Sequence, residues 1–125
     1  MIMQNQVFSS FSVTNLQEAK KFYSEILGME VNEGEYTLDL LIDGGHKIIV
    51  YPKADHQPAS FTILNFPVDD IEMECDNLKW KGIKFEIYDD SSFKTDEKGI
   101  FRGEGPLIAW FKDPFGNILS IIQED

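Results

Sequence analysis

Few side chains in this 125-residue sequence are suited to chemistry. His46 and His56 are its two histidines, Cys75 is its one cysteine, and carboxylates pair at Asp69-Asp70 and Asp89-Asp90. Imidazole, thiolate and carboxylate are the groups that hold a transition metal or move a proton, so their spacing decides whether either task is on offer. No His-x-His or His-x-x-x-His spacing occurs, and no calcium-loop spacing of carboxylates. His46 follows Gly44-Gly45, and His56 lies between Pro52 and Pro58; both read as solvated turn positions. Cys75 has no histidine near it in sequence to take its proton, and it falls on an apolar helical stripe, which suits a small core residue better than a nucleophile. Asp69-Asp70 precedes that helix, where carboxylates are favoured, and Asp89-Asp90 reads as loop charge. A phosphate cradle is also missing. Gly44-Gly45 reads as a hairpin, and Gly103-x-Gly105-Pro106 precedes a strand instead of a helix. The expectation is therefore no metal and no other cofactor.

Composition narrows the partners. Twenty-two acidic residues oppose eleven basic ones, a formal charge of -11 that repels nucleic acid phosphates and anionic membrane surfaces. A cationic or neutral small molecule suits it better. Apolar residues make up 42% of the chain, enough for one domain, and the longest apolar stretches are strand-length, so no membrane span is expected. A single cysteine excludes an internal disulfide and fits a reducing compartment, which makes the cytoplasm the expected location.

The elements that must position any site repeat. Val13-Thr14-Asn15-Leu16 opens an amphipathic run closing at Leu27-Gly28, and Val68-Asp69-Asp70-Ile71 opens a second closing at Lys81-Gly82. Before the first run, residues 7–13 read as a strand, with Val7, Phe11 and Val13 on one face and Phe8, Ser10 and Ser12 on the other. Asn15 as cap with Glu18 three residues on starts the helix; Leu16, Ala19, Phe22, Tyr23 and Ile26 line its apolar stripe; Gly28 stops it. Strands at 36–42 and 47–51 flank a turn at Asp43-Gly44-Gly45-His46. Residues 52–58 read as a linker, and a strand resumes at 60–68. In the second run Ile71, Cys75 and Leu78 point inward, while Met73 and Trp80 fall on the opposite side, a stripe that suits contact with a second chain. Residues 84–88 read as a further strand, 89–105 as a long irregular segment with a short strand or flap at Ile100-Phe101, and 107–111 with 118–122 as a hairpin across Asp113-Pro114-Phe115-Gly116-Asn117.

With Phe22-Tyr23, Leu27-Gly28-Met29, Phe66-Pro67-Val68-Asp69-Asp70 and the closing Trp110-Phe111-Lys112-Asp113-Pro114-Phe115-Gly116-Asn117, the chain resembles the vicinal oxygen chelate superfamily of glyoxalases, extradiol dioxygenases, fosfomycin-modifying transferases and bleomycin-binding resistance proteins. The resemblance implies an α+β fold of two βαβββ modules, about residues 1–55 and 59–125, forming a curved, partly open barrel in one domain. It also implies a homodimer and a ligand held in a cup between the modules. Enzymes of the family hold a divalent metal through His, Gln or Glu on facing strands. The matching positions here are Phe8, Ile63 and Ser120, with the fourth among Ile49, Val50 and Tyr51. Hydrocarbon cannot replace water around a cation, which argues against lyase or dioxygenase activity.

The function expected is therefore binding. Phe8, Ser10, Tyr51, Ile63, Trp110 and Ser120 are the candidate ligand-binding residues, an aromatic lining with a few hydroxyls for an aromatic or cationic small molecule. Two alternatives stand beside it: a metal-dependent lyase, isomerase or dioxygenase with an atypical site drawing on Glu86, Glu104 or Tyr51, and an interaction module whose cup is filled by its own side chains.

Overall fold

The computed structural model describes residues 1–124. The chain divides into two compact units, residues 1–57 and residues 58 onward.

In the first unit the strand β1 (Ser9–Val13) leads into the helix α1 (Leu16–Lys21), and β2 (Val31–Glu33), β3 (Leu38–Ile42) and β4 (His46–Pro52) complete a four-stranded sheet in the order β1-β4-β3-β2. A short 3-10 turn at Gln4–Gln6 precedes β1, which begins at Ser9, two residues later than the sequence pattern suggests. Asn15 caps α1 as its residue type dictates, the Oδ1 accepting from the Glu18 N–H at 2.9 Å. Ala19, Phe22 and Tyr23 are buried, and Phe11 of β1 packs its ring 5.7 Å from that of Tyr23. Residues Phe22–Ile26 widen into a π turn, with the Leu27 N–H reaching back to the Phe22 carbonyl, and Gly28 then takes φ +73°. That conformation excludes most side chains and turns the chain into β2.

The second unit repeats the plan with an insertion. Its order is β5 (Thr62–Pro67), α2 (Ile71–Trp80), a small hairpin β6 (Asp89–Asp90) and β7 (Phe93–Lys94), then β8 (Ile100–Phe101), β9 (Leu107–Lys112) and β10 (Ile118–Gln123). The sheet runs β5-β10-β9-β8, open at both edges. Asp70 caps α2 by accepting from the Met73 N–H, and Ile71, Cys75 and Leu78 are buried where α2 packs on β9 and β10. Met73 and Trp80 lie on the opposite side, 61% and 92% exposed. The fold is thus α+β, two βαβββ units, as the repeated pattern implies.

One strand departs from expectation. Residues 84–88 form no continuous strand: Phe85 bridges Phe111, the Glu86 N–H donates to the Trp110 carbonyl at 2.8 Å, and the chain then leaves the sheet. It returns at β8, which pairs with Ile108 and Ala109 further along β9. The edge is therefore shared by two short pieces, with residues 87–99 as an excursion between them. The reason is local: the Tyr88 N–H and carbonyl are taken by Thr95 of the returning chain, through its side chain and its backbone, and so are lost to β9.

The β9–β10 connection is a built turn. The Asp113 Oδ1 accepts from the Phe115 and Asn117 N–H groups, both at 2.9 Å, and its Oδ2 accepts from the Asn117 side-chain amide at 2.8 Å. Gly116 sits at φ +84°, and a Cβ there would press on Pro58.

Candidate functional site

Each unit buries one sheet face under its helix, and the candidate residues lie on the opposite face. Residues paired across strands project to the same side, so register identifies the free face. In the first unit Ser10 pairs with Ile49, Ser12 with Tyr51, and Asp39 with Ile49. Phe8, Ser10, Ser12, Lys47, Ile49, Tyr51 and Asp39 therefore share the face opposite α1. Lys47 sets its ammonium 5.7 Å from the centre of the Phe8 ring and 4.0 Å from the Asp39 carboxylate. Phe8, Ser10 and Tyr51 are solvent-accessible. His56, expected as a free turn residue, is half-buried and lies 2.6 Å from the Ser12 Oγ through its Nδ1. The linker thus reaches the end of this face, a contact that no local sequence pattern announces.

In the second unit Ser120 pairs with Asn65 on β5 and with Trp110 on β9. Ser120 is fully buried, and its hydroxyl donates to the Asn65 Oδ1 at 2.6 Å. The Trp110 indole N–H donates to the Thr62 Oγ1 at 3.0 Å, which fixes the ring on the sheet. Ile63 occupies a bulge, where Thr62 pairs with Ile118 and Leu64 with Leu119, so it has no partner across the strand. Thr62 and Asn65, unremarked in the sequence, are the polar side chains that meet Trp110 and Ser120. A bulge shifts alternation by one residue, and nothing in the Thr-Ile-Leu-Asn run signals it.

The excursion adds the rings of Tyr88 and Phe93 to Trp110, and β8 adds that of Phe101. Phe93 stacks on Tyr88 at 5.3 Å with 19° between planes, and it stands edge-on to Phe101 at 4.9 Å and to Trp110 at 5.1 Å. Burial and then the neighbouring Glu86 charge hold the Tyr88 phenol above its ordinary pKa, so it stays protonated.

Do these residues fit the divalent metal that the superfamily's enzymes hold? Phe8 and Ile63 offer hydrocarbon, Ser120 offers a buried hydroxyl committed to Asn65, and Ile49, Val50 and Tyr51 offer two aliphatic chains and a phenol. The nearby Thr62 and Asn65 oxygens are neutral and already accept hydrogen bonds. Among the described residues no three His, Cys, Asp or Glu side chains cluster so as to hold an ion. The donor set does not fit. Nor is any helix among the described residues long and apolar enough to cross a membrane.

Two βαβββ units, each a four-stranded sheet with a helix packed on it, define a class of small proteins built by repetition. The chain belongs to the Glyoxalase/Bleomycin resistance protein/Dioxygenase superfamily, whose family model matches residues 5–121. It is 29% identical to a Vibrio parahaemolyticus protein named probable lactoylglutathione lyase, over 89% of this chain and 84% of that one. Among solved structures it is similar to an antibiotic binding protein from Streptomyces sp. CB03234, with a TM-score of 0.69, 21% identity, and coverage of 94% of this chain and 93% of that one. It is also similar to a glyoxalase family protein from Enterococcus faecalis, with a TM-score of 0.64, 25% identity, and coverage of 94% of both chains. At 21% identity the likeness to the Streptomyces protein is one of fold.

Proposed function

We propose that this protein binds a small aromatic, cationic molecule on its open sheet faces without a metal ion. The observation that carries the reading is the chemistry of Phe8, Ile63 and Ser120, the positions where the superfamily's enzymes place metal ligands: two hydrocarbons and a hydroxyl already donated to Asn65. A charge of -11 attracts cations, and the electron-rich faces of Phe8, Tyr51 and Trp110 suit a cation on a planar body. The Streptomyces neighbour, described as antibiotic binding, gives a precedent for such a task on this fold. The reading takes the protein as a cytoplasmic homodimer; the lone buried Cys75 and the exposed Met73 and Trp80 support it.

The test is thermal unfolding against a panel of planar aromatic cations. A ligand that binds only the folded chain stabilises it by about 2.7 kcal/mol at a hundred times its Kd, a rise of several degrees. No rise across the panel overturns the reading. A metal-dependent lyase is the second reading, favoured by the 29% identity to the Vibrio protein. Catalysed formation of lactoylglutathione from glutathione and methylglyoxal, with nickel or zinc supplied, would establish it in place of the first.

A further inference from the structure

In the hairpin of residues 89–94 one side chain is shielded from solvent. Residues 89–92 and 94 are exposed; Phe93 alone is shielded. Within itself the hairpin has two register pairs, Asp89 with Lys94 and Asp90 with Phe93, and an exposed Lys94–Asp89 ion pair at 3.5 Å. Its base is firmer. The Thr95 N–H donates to the Tyr88 carbonyl and the Tyr88 N–H to the Thr95 Oγ1, both at 2.9 Å, so the chain on either side stays joined whatever the tip does. The ends of the whole excursion are pinned to adjacent stretches of β9, so movement of the tip breaks no pairing of the main sheet.

The walls around Phe93 are held independently of it. Trp110 lies in β9 with its indole N–H fixed on Thr62. Phe101 lies in β8 with its ring against Gly103, where any Cβ would collide with it. Tyr88 stands at the stapled base, its ring 5.8 Å from that of Trp110. Against these walls Phe93 has one ring parallel to its face and two edge-on, the contacts that a flat aromatic guest would make.

We infer that the slot between Tyr88, Phe101 and Trp110 is a binding site for a planar aromatic cation, and that Phe93 is its built-in occupant, displaced when residues 89–94 swing about Tyr88 and Thr95. This rests on the ligand-binding reading above. The cation preference follows from the electron-rich Tyr and Trp faces. A site filled by its own chain binds with an apparent affinity lowered by the fraction of molecules in which it is vacant. Removing the occupant therefore strengthens binding.

The experiment uses the Trp80→Phe background, which leaves Trp110 as the sole tryptophan, and proflavine as the planar cation. Calorimetry reads the Kd and Trp110 emission reads the place. Proflavine is expected to quench Trp110, with a Kd lower by about tenfold or more in Phe93→Ala. Phe93→Leu keeps apolar bulk for folding while losing the stacked face, and it too binds more tightly than the parent; it carries the test if the alanine variant does not fold. Equal or weaker binding in the folded variants overturns self-occupancy and leaves the ligand-binding reading standing. Heat without a change in Trp110 emission overturns the slot and again leaves that reading. No heat from the parent or from either variant overturns the slot, and the panel above decides the ligand-binding reading separately.

Discussion

Removing the Asp113 carboxylate should be among the most damaging single changes in the second unit. Asp113 is 5% exposed and Asn117 2% exposed, and three N–H donors converge on the one carboxylate: two backbone amides at 2.9 Å and the Asn117 amide at 2.8 Å. A hydrogen bond to a charged group contributes about 1.5–3 kcal/mol, and a buried donor left unmatched costs about 1–3 kcal/mol. In Asp113→Ala the donors of Asn117 lose their charged acceptor in a buried site and the Phe115 amide loses it in a partly open one, so the expected loss is about 3–5 kcal/mol. Against a total of about 5–15 kcal/mol for a chain of this size, that is a large share. Asp113→Asn keeps one acceptor oxygen for the two backbone amides but sets its NH2 against that of Asn117, and it should lose roughly half as much. Urea unfolding of the three proteins, followed by far-UV circular dichroism, gives the order parent, Asn, Ala in falling midpoint. A loss below about 1 kcal/mol in Asp113→Ala would mean that the turn is not held by the carboxylate.

Gly99 sits at φ +93° with a built Cβ 2.9 Å from the Phe85 Cβ and 3.2 Å from the Glu86 carbonyl, so Gly99→Ala should lower stability by about 2–4 kcal/mol, whereas Gly82→Ala, at φ +97° with no atom within 4 Å, should cost only about 1 kcal/mol. Equal melting temperatures for the two variants would contradict this. Burial pushes the Cys75 thiol up to about 11, so near pH 8 only about one molecule in a thousand carries a thiolate, and the native protein should react with Ellman's reagent no faster than it unfolds; immediate reaction would place the thiol at the surface. Partial burial acts to raise the pKa of Asp96, but the Arg102 guanidinium and the Ile100 and Lys98 amides outweigh it, and the net shift is downward from 3.8. A lowered carboxylate pKa stabilises the fold above the unfolded value, and that stabilisation fades as pH falls through the folded one. Asp96→Asn should therefore show a shallower loss of urea midpoint between about pH 6 and about pH 3 than the parent.

Most of the architecture is written in local signals. Asn15 and Asp70 cap their helices, Gly28 stops the first, and the Asp113 to Asn117 run makes its turn, because each acts on neighbours a few residues away. The interior face of α2 is equally legible, since Ile71, Cys75 and Leu78 recur at helical spacing. Residues 84–88 misled because Phe85 and Ile87 alternate like a strand, whereas Thr95, seven residues beyond Tyr88, competes for the backbone there. The candidate site was harder. Trp110 and Ser120 can be placed on the closing hairpin from sequence, but their partners Thr62 and Asn65 depend on a bulge, and Phe93 reaches Trp110 only through the excursion. Such contacts join residues 17 to 55 positions apart, and no periodicity encodes them.

In the proposed function, ligand is gripped by rings and neutral polar groups with no bound ion taking part. Isothermal titration of proflavine into protein treated with a chelator and then dialysed measures this directly. Saturable binding is expected, with the same Kd before treatment, after it, and after zinc or nickel is returned. Binding that vanishes on chelation and reappears in proportion to the metal restored would contradict it.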